Sequence, residues 1–160
     1  MKSQTVKESE VIMTELVLPQ HTNALGSVFG GVVMSWIDIA GAIASQRHSH
    51  SAVVTASIDA LHFVAPVYQG WIINLKASVN FVAKSSMEVG VRVDAENPMT
   101  SETFHTATAY LTFVAVDEHG KPKPVDAILP ESDDQKRRYE RAQKRREERL
   151  KARQQIEKKT

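Results

Sequence analysis

"VFGGVVMSWIDIAGAIA", residues 28–44, is the stretch that decides how this chain folds. Its seventeen residues carry a single charge, Asp38. The run is too long for an average strand and contains Ala and Met, so it predicts a helix that opens at Gly30-Gly31 and runs to about Arg47. Burying an unpaired carboxylate in such a segment costs several kcal/mol, so Asp38 has partners or is put to use. At 100° per residue, Gly31, Ser35, Asp38, Ala42 and Ser45 share one face, and each is small or polar. Val32, Val33, Trp36, Ile39 and Ile43 lie on the other sides and read as sheet-facing core. The small stripe suits the wall of a narrow slot or the close approach of another backbone. The plainer reading is that a neighbouring loop hydrogen-bonds Asp38, which then does no chemistry.

Outward from the helix, the pattern turns to strands. "VIMTELVLP" precedes it as a strand closed by Pro19, and "QHTNALGS" is a polar loop. Four runs follow: Val53 to Val64, Ile72 to Val82, Met87 to Ala95 and Thr103 to Asp117. Alternation puts Ile73, Leu75, Ala77, Val79 and Phe81 on one face of the second, and Met87, Val89, Val91, Val93 and Ala95 on one face of the third. The order is β-α-β-β-β-β, an α+β chain whose one helix is apolar nearly all round. Such a helix must be wrapped on most sides. A curved antiparallel sheet of about five strands covers one side and a second copy of the chain the other. This is the plan of the hotdog fold.

The bulk numbers fit one domain. The chain has 160 residues, ordinary hydrophobic content and no cysteine, which excludes a disulfide framework, thiol catalysis and cysteine-ligated zinc. The start shows no apolar leader, and residues 28–44 are short for a membrane span, so a soluble, cytoplasmic protein with no membrane partner is expected. Residues 1–130 hold 8 Lys/Arg against 12 Asp/Glu, and residues 131–160 hold 12 against 7. We therefore expect a domain over 8–128 and a basic helical tail over 131–160, joined through "KPKPVDAILPES". The tail has acidic residues interspersed and few aromatics, which reads as a solvated helix and not as a nucleic-acid surface.

The loop before the helix shifts the reading of Asp38. The first amides of a helix lack partners and lie at its positive end, so those of Gly30 and Gly31 suit a developing oxyanion. The side chain of Asn23 can add a donor to the same oxygen or orient a water. Taken singly, Gly30-Gly31 is a tight helix entry and Asn23 a turn residue. From Gly30 to Asp38 is about 12 Å along the axis, too far for both to serve one carbonyl carbon. Two antiparallel helices across a dimer remove the difficulty. The expected sites are composite: Asn23 and Gly30 from one chain, Asp38 from its partner.

"LPQHTNALGSVFGGVVMSWIDIAG", "VVTASIDALHFVAPVYQG", "KSSMEVGVRVDAE" and "AYLTFVAVDEHGKPKPV" resemble the acyl-CoA hydrolases (thioesterases) of the hotdog fold, over about residues 10–130. The resemblance implies hydrolysis of acyl-CoA to free CoA and a carboxylic acid, with Asp38 the matching catalytic carboxylate and Asn23 supplied by the opposite protomer. It also implies dimers assembled into trimers of dimers, and places Lys84 to Val89 near the CoA moiety. Trp71 and Asp126 depart from the pattern, where an acidic residue and a proline are usual. No cofactor is implied beyond coenzyme A as part of substrate and product. Lys84, Ser85 and Ser86 are the favoured phosphate contacts, since turn amides and hydroxyls hold phosphate, although they also read as an ordinary hairpin turn. Phe63 reads equally as a wall of the pantetheine tunnel and as core.

Other chemistries are open to the same residues. His48 and His50 have no third ligand near them, so no metal site is expected. His21 with Asp38 would suit proton removal beside a thioester carbonyl, as in hotdog-fold dehydratases. A non-enzymatic acyl-CoA sensor gripping a partner with the basic tail is a third possibility.

Overall fold

The computed structural model describes residues 2–59 and 61–159. Ala60, inside the expected Val53–Val64 run, and Thr160, the end of the expected tail, lie outside them. The predicted helix is α2, Gly30–Ser49, and it ends at His50 in a left-handed conformation (φ 50°). Strands β2 (Val11–Leu16), β5 (Ile72–Val82), β6 (Ser86–Asn97), β7 (Glu102–Val116) and β3 (Ala52–Ile58) form an antiparallel sheet in the order β2-β5-β6-β7-β3. A short β4, His62–Phe63, also pairs with β7. This is the expected hotdog arrangement, with the helix held against one face of a curled sheet. β3 is an edge strand and is open along one side.

Hydrophobic burial holds the two layers together. Val33, Ile37, Ala40 and Ala44 of α2 are fully buried, as are Ile73, Leu75, Val79, Met87, Val89 and Leu111 of the sheet. Each large side chain so buried contributes about 1.5–3 kcal/mol. Gly41 sets the closest approach: a Cβ there would lie 2.8 Å from the Phe113 ring. Ile39, expected to face the sheet, instead stands 47% exposed on the opposite flank, beside Asp38. Ser45, expected on the small stripe, is buried and donates to the carbonyl of Ala42.

Alternation is interrupted by bulges. In β5, Val79 pairs with Val89 but Phe81 pairs with Glu88, so Asn80 is the extra residue. An inserted residue flips the phase of the remaining strand. Phe81, expected inward with Ile73, Leu75, Ala77 and Val79, therefore faces out of the core and meets the ring of Tyr139 edge-on at 5.1 Å. β6 keeps its phase, and Met87, Val89, Val91, Val93 and Ala95 all point inward.

The chain ends add elements that the hydrophobic pattern does not reveal. β1, Ser3–Thr5, runs parallel to β8, Ala127–Leu129. Between β1 and β2 a single turn, α1 (Val6–Ser9), buries Ser9, whose hydroxyl accepts the Val79 amide at 3.0 Å. The two departures from the family pattern are absorbed. Trp71 stacks on Phe104, and Asp126 uses its carbonyl to accept the buried His48 Nε2 at 2.7 Å.

The tail is a helix, α3, Asp133–Lys159, but one face of its first half is docked and not solvated. Tyr139, Ala142, Arg145 and Arg149 recur at helical spacing and turn toward the outer face of the sheet. Ala142 is fully buried. Arg145 makes a bidentate pair with Glu88, at 2.6 and 3.2 Å, and lies 3.7 Å over the Tyr110 ring. Arg149 reaches Asp59 at 2.8 Å and Glu88 at 3.5 Å. Burial works to lower the Arg145 pKa, but its hydrogen bond and ion pair with Glu88 outweigh it and hold the guanidinium above its ordinary value. The basic residues expected to face solvent are in part consumed by carboxylates of the body, the buried Glu88 and the partly buried Asp59.

Candidate active site

Asp38 sits half-buried in the chain, on the flank of α2 beside β3. Its partner is Thr55 of that edge strand, whose hydroxyl donates to Asp38 Oδ1 at 2.7 Å. Thr55 pairs with Phe113, so both point to the helix side of the sheet. Ala56 is a bulge residue immediately after it, since Ser57 pairs with Thr112. Around this polar pair Met34, Ile39 and Ile58 leave apolar surface exposed. A carboxylate held by one hydroxyl on an open apolar flank is oriented and still accessible.

The helix entry lies at the other end of α2. Phe29 caps the helix, and the amides of Gly30 and Gly31 donate to no protein acceptor among the described residues. The ring of Phe63 covers Gly30 so closely that a Cβ would meet it at 3.2 Å, whereas Gly31 is open to solvent. Asn23 shapes its own turn. Its Oδ1 accepts the amides of Leu25 and Ser27, and its Nδ2 donates to Ser27 Oγ at 2.9 Å, leaving the second Nδ2 hydrogen free. Within one chain, then, Asn23, Gly30 and Gly31 form one group and Asp38 with Thr55 another. No hydrogen bond joins the two.

Beside Gly30 a cleft of about 270 Å³ is lined mainly by apolar groups, among them Val28, Val33, Phe63, Val64 and Val67. Phe63 is therefore a wall and not core, with nearly half its surface exposed. Lys84, Ser85 and Ser86 form the β5–β6 turn, on the Val114 end of β7 and thus away from Gly30. Lys84 is exposed, and the carbonyls of Lys84, Ser85 and Ser86 accept amides from Val125, Ala115 and Ala83. A larger recess, about 430 Å³, lies on the opposite face of the sheet under α3, lined by Lys76, Arg92, Arg138, Arg141 and Arg145 among others. It is separated from Asp38 by the sheet.

His21 and Asp38 do not meet within one chain. His21 Nδ1 accepts the Leu18 amide at 3.0 Å and its ring packs edge-on against Trp36 at 5.0 Å. Both contacts fix its ring in the loop that also carries Asn23. Thr55 is a candidate site residue that the sequence pattern misses, since a threonine in an alternating strand carries no mark of its own. Among the described residues, no helix is long and apolar enough to cross a membrane.

Residues 25–102 match the model of the Thioesterase superfamily. The chain is 43% identical over 129 residues to the uncharacterized acyl-CoA thioester hydrolase YkhA of Bacillus subtilis, covering 81% of this chain and 75% of that one. A crystal structure of an apo-hexameric acyl-CoA thioesterase superposes with a TM-score of 0.92 at 45% identity, over 95% of this chain and 97% of that one. The acyl-CoA hydrolase of Staphylococcus aureus, solved with butyryl coenzyme A, coenzyme A and coenzyme A disulfide, gives 0.85 at 36% identity, with 97% of each chain covered. That enzyme has also been solved with alanine in place of an asparagine, an aspartate and a threonine. Its three positions are fifteen and seventeen residues apart in chain order, the separations of Asn23, Asp38 and Thr55 here. The chain belongs to the Thioesterase superfamily and, within it, to the acyl-CoA thioester hydrolases.

Proposed function

We propose that acyl-CoA hydrolysis takes place in composite sites between two protomers, with Asn23, Gly30 and Gly31 of one facing Asp38 and Thr55 of the other. The observation that carries this is the split within a single chain. The free helix amides and the Asp38–Thr55 pair lie about 12 Å apart along one helix, yet the flank holding Asp38 is apolar and uncovered. A second copy, antiparallel to the first, brings complementary halves together twice, as twofold symmetry requires. The open edge of β3 offers a strand for such a pairing. Further assembly into a trimer of dimers accords with the hexameric relative.

In this arrangement the thioester carbonyl accepts hydrogen bonds from the Gly30 amide, with Gly31 and the free Asn23 Nδ2 hydrogen beside it. These donors oppose the negative charge that develops on oxygen. Asp38, aimed by Thr55, draws a proton from water or attacks the carbonyl carbon to give a mixed anhydride. Free CoA leaves in both routes. Phe63 and the cleft beside Gly30 take the organic part of the substrate, and Lys84, Ser85 and Ser86 at the Asp38 end take phosphate.

Mixing two inactive variants tests the split. Asn23→Ala and Asp38→Asn, each inactive alone, regain about a quarter of wild-type thiol release after co-refolding, because half the dimers are mixed and each mixed dimer has one intact site. No recovery in demonstrably mixed dimers would place all the groups in one chain and end the composite reading.

A further inference from the structure

We propose that Phe63 sets the length of acyl chain that is accepted: the chain runs from the carbonyl held at Gly30 into the cleft whose wall the Phe63 ring forms. The inference rests on the reading that the Gly30 amide binds the thioester oxygen, and it deepens that reading by naming which part of the substrate enters the cleft. β4 pairs with β7 through His62 with Thr108 and Phe63 with Ala107. Thr106, just before Ala107, is an extra residue with no partner on β6, and after this bulge Ala107 is fully buried on the helix side. Residues directly opposite each other share a face, so Phe63 points to the helix side too. Its ring stands over the helix entry, with Cε2 3.2 Å from the place of a Gly30 Cβ, and yet 46% of Phe63 is exposed. A ring that touches Gly30 and still meets solvent lies beside whatever binds the Gly30 amide.

The cleft beside the ring takes its apolar wall from Val28, Val33, Val64 and Val67. Its two side-chain hydroxyls are withdrawn: that of Ser27 exchanges hydrogen bonds with Asn23, and that of Thr106 is sealed from the surface. Such a wall favours hydrocarbon by about 4-fold in affinity per methylene and gives the amides of the pantetheine arm no side-chain partner. The direction of the substrate agrees. Ser86, in the turn proposed to hold phosphate, pairs with Val114, and Val114 pairs in turn with Val54, next to Thr55. That turn therefore reaches the composite site together with Asp38, from the protomer opposite Gly30. CoA approaches from there, and the acyl chain leaves the carbonyl on the Gly30 side, where the cleft is. A cavity of about 150 Å³ holds the six carbons of benzene, so one of about 270 Å³ holds about ten.

The experiment measures kcat/KM by thiol release along a series of unbranched acyl-CoAs, from acetyl to palmitoyl, in wild type, Phe63→Ala, Phe63→Leu and Phe63→Trp. Chains that wild type leaves uncleaved mark the ends of its profile and nothing more. Phe63→Ala should move the maximum to a chain at least two carbons longer, and raise kcat/KM there by about 10-fold relative to the wild-type optimum. Phe63→Leu should move it the same way by less, and Phe63→Trp should move it to shorter chains. The leucine and tryptophan variants keep a large apolar side chain in place, and they carry the test alone if the alanine variant does not fold. A maximum that stays put in all the folded variants, with KM raised by one factor for every chain, puts the ring against the pantetheine arm and overturns the assignment. Asp38→Asn on the same series isolates the underlying reading. Wild-type kcat in that variant overturns the site itself, whereas its loss together with an unmoved maximum overturns the role of Phe63 alone.

Discussion

Removing Arg145 should cost this protein far more than the loss of a surface charge. In Arg145→Ala the carboxylate of Glu88, with 1% of its side chain exposed, keeps only Asn80 Nδ2 at 3.3 Å and Arg149 at 3.5 Å. Leaving one member of a buried pair behind costs about 3–5 kcal/mol, and the lost contact with the Tyr110 ring adds about 0.5–1 kcal/mol. Arg149 still supplies a cation, which places the sum near the lower end, at about 3 kcal/mol. For a chain of this size each kcal/mol moves the midpoint by about 2–4 °C, so the melting temperature should fall by about 6–12 °C. Wild type and variant are compared by circular dichroism melting at one protomer concentration, because association itself stabilises. Pairing Arg145→Met with Glu88→Leu should recover most of the loss, since the cost lies in the abandoned charge. A single variant that melts within about 1 °C of wild type, or a double variant less stable than the single, would refute the reasoning.

Two further outcomes concern the partners of Asp38 and Phe113. Thr55→Val removes the hydrogen bond to Asp38 and should lower kcat by about 10- to 100-fold with little change in KM, measured by steady-state thiol release. Gly41→Ala drives a Cβ to 2.8 Å from the enclosed Phe113 ring, at a cost of about 1–3 kcal/mol, against about 1 kcal/mol gained in helix propensity. The net loss of about 1 kcal/mol should appear as a midpoint lower by about 2–4 °C, and an unchanged midpoint would mean that the ring has room to move.

Much of this architecture is legible in the sequence alone. The apolar helix with one carboxylate, the strand order and the small residues at the helix entry are local patterns, and each maps directly onto α2, the sheet and the open amides. The features that escape the sequence depend on contacts between distant residues. No residue type announces that Asn80 and Thr106 are the extra residues of bulges, so alternation assigns Phe81 to the wrong face and passes over Thr106. Thr55 becomes meaningful only when β3 is laid beside α2. The tail misleads for the same reason. Arg145 and Arg149 look solvated along their own helix, and their partners Glu88 and Asp59 lie far upstream in the chain.

The docking of α3 also decides where this chain can be shortened. Among the described residues beyond Arg149, none is buried, so a stop codon placed after it leaves every contact of Tyr139, Ala142, Arg145 and Arg149 in place. Ending the chain at residue 130 instead strips the cover from Phe81 and leaves Glu88 without either guanidinium. A shortened protein of the second kind confuses the loss of the tail with damage to the sheet beneath it. One of the first kind asks only what the projecting end of the helix does, on a body that still melts and turns over as before.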